Sequence, residues 1–226
     1  MRRQGDSDTQ EEPREANEGL SLRRFLRRLP SQSRSRAAVE ALITAFDDLL
    51  QKRGVEEVSL DAVASRAGVG IGSLYEYFAN RDALLGGLIE KATRKNFDDL
   101  VARMDAAGGS LDARTQVMAV ATAETYLRHP ARTRVLAGGI MRLGLVRIVV
   151  LERDRFAREL AGRAHRHYPE VALVDLELSM CRACDAVMGI VHGHLYRGTP
   201  IDVPVVADEL RCLVVALLRD RHGEPV

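Results

Sequence analysis

No tryptophan occurs in the 226 residues, and five tyrosines with five phenylalanines hold the aromatic share to 4%. So thin a supply argues against a stacking platform for single-stranded nucleic acid, where successive bases rest on aromatic rings. Cysteine is equally scarce: Cys181, Cys184 and Cys212 are an odd number and too few for a disulfide framework, which makes the cytoplasm the expected compartment. Lysine is confined to Lys52, Lys91 and Lys95, so arginine carries nearly all the positive charge. No apolar run approaches the roughly 18 residues that a membrane span needs. The segment LGLVRIVVL at 143–151 is short and interrupted by Arg147, and the opening MRRQGDSDTQEEPRE lacks the apolar stretch of a secretory signal. No membrane partner is expected. Also missing are a nucleophile elbow, a Gly-rich phosphate loop and an HExxH zinc pair, which leaves an all-helical enzyme as a remote reading. The chain is expected not to be an enzyme and to need no cofactor.

What is present is ordinary globular composition, 46% hydrophobic and 29% charged, which excludes a disordered tail protein, a collagen-like repeat and a disulfide miniprotein. Alanine, leucine, valine and arginine dominate and nothing alternates like a sheet for long, so the expected fold is all-α. The net charge of +1 conceals an uneven distribution. Residues 20–36 hold Arg23, Arg24, Arg27, Arg28, Arg34 and Arg36 with no acidic residue among them, whereas 37–100 lean acidic. Such a run is either a solvated tail or an arm that follows a polyanion. The patch LSLRRFLRRL within it is amphipathic and suited to helix formation on contact with DNA or a membrane surface. Residues 1–33 are expected to be a mobile, arginine-rich arm.

After Pro30 the pattern changes. Val39, Leu42, Ile43, Phe46, Leu49 and Leu50 form the i, i+3, i+4, i+7 stripe of an amphipathic helix across 35–53, with Gly54 placed to end it. Ser59 is a good N-cap for a second helix carrying Leu60, Val63, Ala64 and Ala67, closed by Gly68. A third begins near Gly70 and carries Leu74, Tyr75 and Phe78, and Asn80 caps a long fourth with Leu84, Leu85, Leu88, Ile89 and Ala92 on one face. The second and third helices are two turns each, joined by Gly68-Val69-Gly70 alone. Helices so short and so tightly joined must cross steeply, which is helix-turn-helix geometry.

The segment 59–85, SLDAVASRAGVGIGSLYEYFANRDALL, resembles the DNA-binding signature of the TetR family of transcriptional regulators. Ala67-Gly68-Val69 and then Gly72-Ser73-Leu74-Tyr75-Glu76-Tyr77-Phe78 match that pattern in order and spacing. In two places the chain departs from it. Gly70 stands where the family usually has Ser or Thr to cap the recognition helix, and Arg81 takes the usual Lys position while keeping its charge. The resemblance implies a helix-turn-helix domain over 34–82, a helical regulatory and dimerisation domain over 83–226, and a homodimer on a near-palindromic operator in double-stranded DNA, released by a small-molecule effector.

The implied DNA-binding set is Arg34, Arg36, Ser59, Gly70, Gly72, Ser73, Tyr75, Tyr77 and Arg81. Gly72 lets the backbone approach the groove, Ser73 bonds phosphate or a base edge, and Tyr75 and Tyr77 hold phosphate-contacting and support positions. Leu74 and Phe78 belong to packing. The recognition helix contains neither Arg nor Lys, so the commonest guanine reader is missing. Affinity then leans on helix dipoles, tyrosine hydroxyls, Arg81 and the arginine arm.

Beyond 101, helices are suggested at 112–128, 131–140, 143–167, 170–197 and 204–220, punctuated by Pro130, Pro169, Pro200 and Pro204. The last two carry broad apolar faces suited to a dimer contact. Met118, Thr122, Tyr126, Met141, Cys184, Met188 and His192 are candidate effector-lining groups, each also at home in a core or a dimer surface. Cys181-x-x-Cys184 with His192 and His194 superficially resembles a metal or redox constellation. A helical Cys-x-x-Cys lacks the knuckle of a zinc site, however, and cysteine commonly packs as a small hydrophobe, so no metal site is expected. The alternatives to a ligand-responsive regulator are a helical interaction protein that no longer binds DNA and a redox-responsive regulator using Cys181 and Cys184.

Overall fold

The computed structural model describes residues 22–52, 57–107, 110–166, 173–197 and 202–219, and every regular element among them is helical. After a short 3-10 helix at Leu22–Phe25 come α1 (Ser33–Lys52), α2 (Leu60–Ala67), α3 (Ile71–Tyr77), α4 (Arg81–Ala107), α5 (Leu111–Leu127), α6 (Pro130–Arg142), α7 (Val146–His165), α8 (Leu173–Arg197) and α9 (Val203–Arg219).

Local chemistry sets these boundaries. α1 starts two residues before the apolar stripe implies, because Gln32 and Ser35 close a reciprocal cap: the Gln32 amide donates to Ser35 Oγ at 3.1 Å and the hydroxyl donates to the Gln32 carbonyl at 2.8 Å. Its expected terminator, Gly54, lies outside the described residues. Ser59 Oγ accepts from the Ala62 amide at 3.1 Å to start α2, and Gly68 ends it in the left-handed region at φ 65°. Asn80 Oδ1 accepts from the Ala83 amide at 2.9 Å at the head of α4, and Ser110 does the same for α5. Pro130 begins α6, where its missing N–H has no intrahelical acceptor to lose.

The first core is built from α1 (Val39, Leu42, Ile43, Phe46, Leu50), α2 (Val63, Ala64), α3 (Leu74), Phe78 and the first half of α4 (Leu84, Leu85, Leu88, Ile89). Leu145 also belongs to it, with Val135, Leu136 and Ile140 of α6 packed at its margin, so the α-helical head and the body share an apolar seam. α4 runs through that seam, and the expected boundary at residue 82 marks the foot of a continuous helix. The body holds two further clusters. One joins Leu100, Ala121, Phe156, Leu160, Leu176, Met180 and Val214; the other joins Ala119, Ala123, Leu127, Val191, Leu195, Val206 and Leu210.

The arm departs from expectation. Residues 1–21 lie outside the described residues, but from Leu22 onward the chain is docked. A side chain on Gly86 would come within 2.3 Å of the Phe25 ring, and one on Gly87 within 3.0 Å of Leu22. The glycine pair thus leaves a notch in α4 that these two apolar side chains fill. The Arg27 amide donates to the Tyr77 carbonyl at 2.9 Å, tying the arm to the end of α3.

Glu90 is buried beside that core, 6% exposed, and is paired with Arg94 at 2.8 Å. Desolvation raises its pKa above 4.5, against the opposing pull of Arg94. A carboxyl whose folded-state pKa is raised favours folding while protonated, and loses that advantage as pH climbs from 4.5 through the raised value. Glu90→Gln is therefore expected to raise the melting temperature at pH 7.5 and to leave it nearly unchanged at pH 4, as read by circular dichroism melts at the two pH values. A lower melting temperature at pH 7.5 would show that the Arg94 pair outweighs the desolvation.

Candidate nucleic-acid interface and adjoining cavity

α3 divides cleanly between packing and presentation. Leu74 is fully buried and Tyr77 is 8% exposed, while Tyr75 is 45% exposed and Ile71, Gly72 and Glu76 also face solvent. Leu74 and Phe78 act as the core residues expected of them. Tyr77 sits with them, a support for the helix rather than part of its outer face. Ser73 is half-buried at the edge of that face. Gly70 caps α3 through backbone conformation alone, with no side-chain hydrogen bond, and a side chain on Gly70 or Gly72 would meet nothing within 4 Å. The face around the start of α3 is therefore open, and its amides are unencumbered by side chains.

Ser59 and Arg81 stand at the starts of α2 and α4, while Arg34 and Arg36 lie exposed on the first turns of α1. Arg36 Nη1 donates to the Ser31 carbonyl at 3.3 Å. The docked arm brings further charge alongside: Arg23, Arg24, Arg27 and Arg28 are all exposed, and Arg28 lies 3.8 Å from Glu76 on α3. An exposed pair at that distance contributes little to stability. Its consequence is positional, since it places the Arg28 guanidinium beside the open face of α3.

Behind the head, at the seam with the body, lies a cavity of about 740 Å³. Its wall takes Ile43 and Asp47 from α1, Ile89 and Lys91 from α4, Arg132 and Leu136 from α6, and Val149 and Arg153 from α7. A smaller chamber of about 50 Å³ lies deeper in the body, lined by groups such as Leu100, Phe156, Leu160 and Met180. The expected effector-lining residues all border one or the other. Met141 and His192 line the outer cavity, Met118, Thr122 and Cys184 line the inner chamber, and Tyr126 and Met188 line both.

Residues that composition and pattern did not single out define this region's polarity. Arg132 reaches from α6 to Asp47 on α1, its Nη2 donating to Oδ2 at 2.9 Å and its Nε to Oδ1. Arg134 donates to the Leu195 carbonyl of α8 at 2.9 Å, and Arg142 pairs with Asp82 at 2.5 Å. Between them Gly139 lies so close to α4 that an added side chain would come within 2.8 Å of Leu85. α6 is thus fastened to α1, α4 and α8 together. The one usable clue in the sequence was the run of arginines in ARTRVLAGGIMR, which lacks acidic partners on its own helix.

Cys181 and Cys184 show no reactive character. Burial pushes the Cys184 thiol up to about 12, and burial raises Cys181 as well. High thiol pKa values disfavour the thiolate that redox sensing needs. His194 bonds Glu209 at 3.1 Å, and among the described residues no group of three His, Cys, Asp or Glu side chains is arranged to hold a metal. No helix among the described residues is long and apolar enough to cross a membrane.

Residues 42–88 match the model of a family described as bacterial regulatory proteins, tetR family. Among solved structures, a TetR transcriptional regulator from Rhodococcus sp. RHA1 superposes with a TM-score of 0.60 at 19% identity, covering 84% of this chain and 100% of that one. A second TetR-like regulator from Rhodococcus sp. RHA1 gives 0.52 at 26% identity, covering 84% and 98%. The multidrug binding protein EbrR complexed with imidazole gives 0.52 at 17% identity, covering 83% and 96%. No curated protein sequence matches the chain.

Proposed function

We propose that this chain, whose residues 42–88 match the model of the tetR family of bacterial regulatory proteins, is a dimeric cytoplasmic repressor released from a near-palindromic operator by a small-molecule effector. The observation that carries the reading is one of position. The open face of α3 and the cavity wall are built on the same short unit, with α1 and α4 contributing to both the head core and the cavity. A ligand in the cavity touches the helices on which the reading head is mounted.

Tyr75, Ser73, Gly70, Gly72, Ser59, Arg81, Arg34 and Arg36 supply the DNA-facing groups, with Tyr77 holding α3 from below. Dimerisation is supported by apolar groups left exposed on the last two helices, Leu178 and Tyr196 on α8 and Val205 on α9. A twofold dimer sets two recognition helices about one turn of duplex apart. An effector acts only through differential affinity for the two spacings of those heads. The fold of EbrR, which binds drugs, is shared with this chain, and that supports the effector role of the cavity. The reading is tested by gel shift against duplex from the region upstream of its own gene, with mass determination in solution. A monomer that shifts no fragment would refute it.

The arm makes a separate prediction. Arg23, Arg24, Arg27 and Arg28 are exposed, and Arg27 and Arg28 lie at α3, so the four are assigned phosphate contacts. Replacing all four with Gln, which keeps the Leu22 and Phe25 anchor, is expected to flatten the dependence of log affinity on log salt by about 0.9 for each phosphate no longer neutralised. An unchanged slope removes the arm from the interface.

A further inference from the structure

The two cavities are neighbours with a common wall. Asn96, Phe97, Tyr126, Arg153 and Met188 line both, so these five form the partition between the large outer space and the small inner one. Arg153 Nη2 meets the exposed carboxylate of Asp185 at 2.5 Å, but its Nε is buried and has no hydrogen-bond partner among the described residues. A buried donor left unmatched is costly, and an acceptor that meets it on a shift of the guanidinium toward the cavity recovers that cost. Tyr126 stands in the same partition. Its hydroxyl accepts from Asn96 Nδ2 at 3.0 Å and keeps its own proton to donate. Burial pushes that phenol up to about 12, so the proton stays on the oxygen at neutral pH.

The rest of the inner chamber is mainly apolar. Phe97 stacks on Phe156 with ring centroids 4.7 Å apart, and Met118, Met180 and Met188 offer walls that adjust to shape. Among the described residues no carboxylate borders the inner chamber, and in the outer cavity Asp47 is already engaged by Arg132 while Asp99 is exposed. None of the five partition residues offers a cation a carboxylate, and Asp185 beside them is taken by Arg153. An oxygen acceptor finds two donors.

We infer that the effector is a largely apolar molecule carrying an oxygen acceptor, a carboxylate or a carbonyl, that docks on Arg153 Nε and the Tyr126 hydroxyl where the two cavities meet. The inference rests on the effector reading of the cavity. The outer space is of the size that holds drug-sized ligands, and the inner chamber has room for the last few carbons of an apolar end.

The test uses three probes of matched length below their micellar concentrations: decanoate, 2-undecanone and decylamine. Each is titrated into the full-length protein by calorimetry and by thermal shift. Binding of decanoate or 2-undecanone, with decylamine silent, is expected, and the stronger of the two tells carboxylate from carbonyl. Arg153→Met keeps the length of the side chain and is expected to weaken the bound probe roughly tenfold. Tyr126→Phe keeps the ring and is expected to weaken it several-fold, and unliganded melts of both variants confirm that they are folded. Decylamine binding as tightly as either oxygen-bearing probe, no binding by either of those probes, or full affinity in folded Arg153→Met overturns the assignment. A parallel measurement on labelled operator separates this from the effector reading. Release by decylamine alone upholds an effector site and overturns the oxygen-acceptor class. Saturation by decanoate or 2-undecanone without release upholds the ligand class and overturns the effector reading.

Discussion

Tyr75→Glu is expected to leave the melting temperature within a degree or two of wild type and to weaken operator binding by roughly 100-fold or more. Tyr75 is 45% exposed on a helix whose inward side chains, Leu74 and Tyr77, carry the packing, so little apolar burial is lost. At a DNA interface the substitution removes a hydroxyl donor to phosphate and sets a carboxylate against the backbone. A hydrogen bond to a charged group contributes about 1.5–3 kcal/mol, and a like charge near a protein surface adds repulsion of a similar order. At about 1.4 kcal/mol per decade the sum is two orders of magnitude or more. Glu76→Gln makes the opposite expectation on the same helix. It removes the only acidic side chain of α3 and releases Arg28 from its 3.8 Å contact, so affinity should rise a few-fold. Fluorescence anisotropy on one operator duplex at fixed salt measures both. Wild-type affinity in Tyr75→Glu would place the outer face of α3 away from the groove.

Why the head was legible in the sequence and the cavity was not has a physical cause. The head's elements are set by interactions within a few residues: Ser59 with the Ala62 amide, Gly68 in the left-handed region, Asn80 with the Ala83 amide. Each is readable as a spacing, and the apolar stripe of α1 needs only the helix period. The cavity's polar groups are matched across distance. Arg132 meets Asp47 at a separation of 85 residues, and beside the cavity Arg134, which fastens α6 to α8, meets the Leu195 carbonyl at 61. Arginines without local acidic partners read as solvated charge until the helices are packed. The seven expected lining residues reached the cavities because adaptable or polar side chains on apolar faces tend to border internal space, but the Tyr126 bond with Asn96 and the place of Arg153 beside it required the fold.

The arm shows the same limit from the other side. An arginine-rich amphipathic run without a visible partner reads as mobile, and only the Gly86-Gly87 notch on a distant helix turns Phe25 and Leu22 into anchors. Glycines inside a helix are unfavourable by about 1 kcal/mol each relative to alanine. Their presence in α4 was a visible irregularity, and the docked arm accounts for it.

The largest effect on coupling is expected at Asp47 and Arg132. The side chains are 23% and 15% exposed, and the guanidinium uses both Nε and Nη2 on the carboxylate. Removing one partner of a fully buried pair costs about 3–5 kcal/mol because the other charge is stranded. With some water access on both sides, Asp47→Asn is expected to cost about 2–3 kcal/mol by the same reasoning, a fall in melting temperature of roughly 5–10 °C for a chain of this size. Asp47→Leu combined with Arg132→Met leaves no stranded charge and should lose less than the two single changes added together, a coupling that a double-mutant cycle measures. The functional consequence follows from what else holds α6 to the head. Arg142 and Asp82 are each about half exposed, so that pair is weak, and the Gly139 contact with Leu85 is apolar and without direction. The Asp47 pair is therefore the directional tie by which movement of the cavity wall reaches α1. In the double variant the ratio of operator affinities without and with effector is expected to fall toward one, measured at effector concentrations that saturate the variant, since Asp47 and Arg132 also line the outer cavity. A double variant that still releases DNA with the wild-type ratio would show that the signal travels through α4 alone.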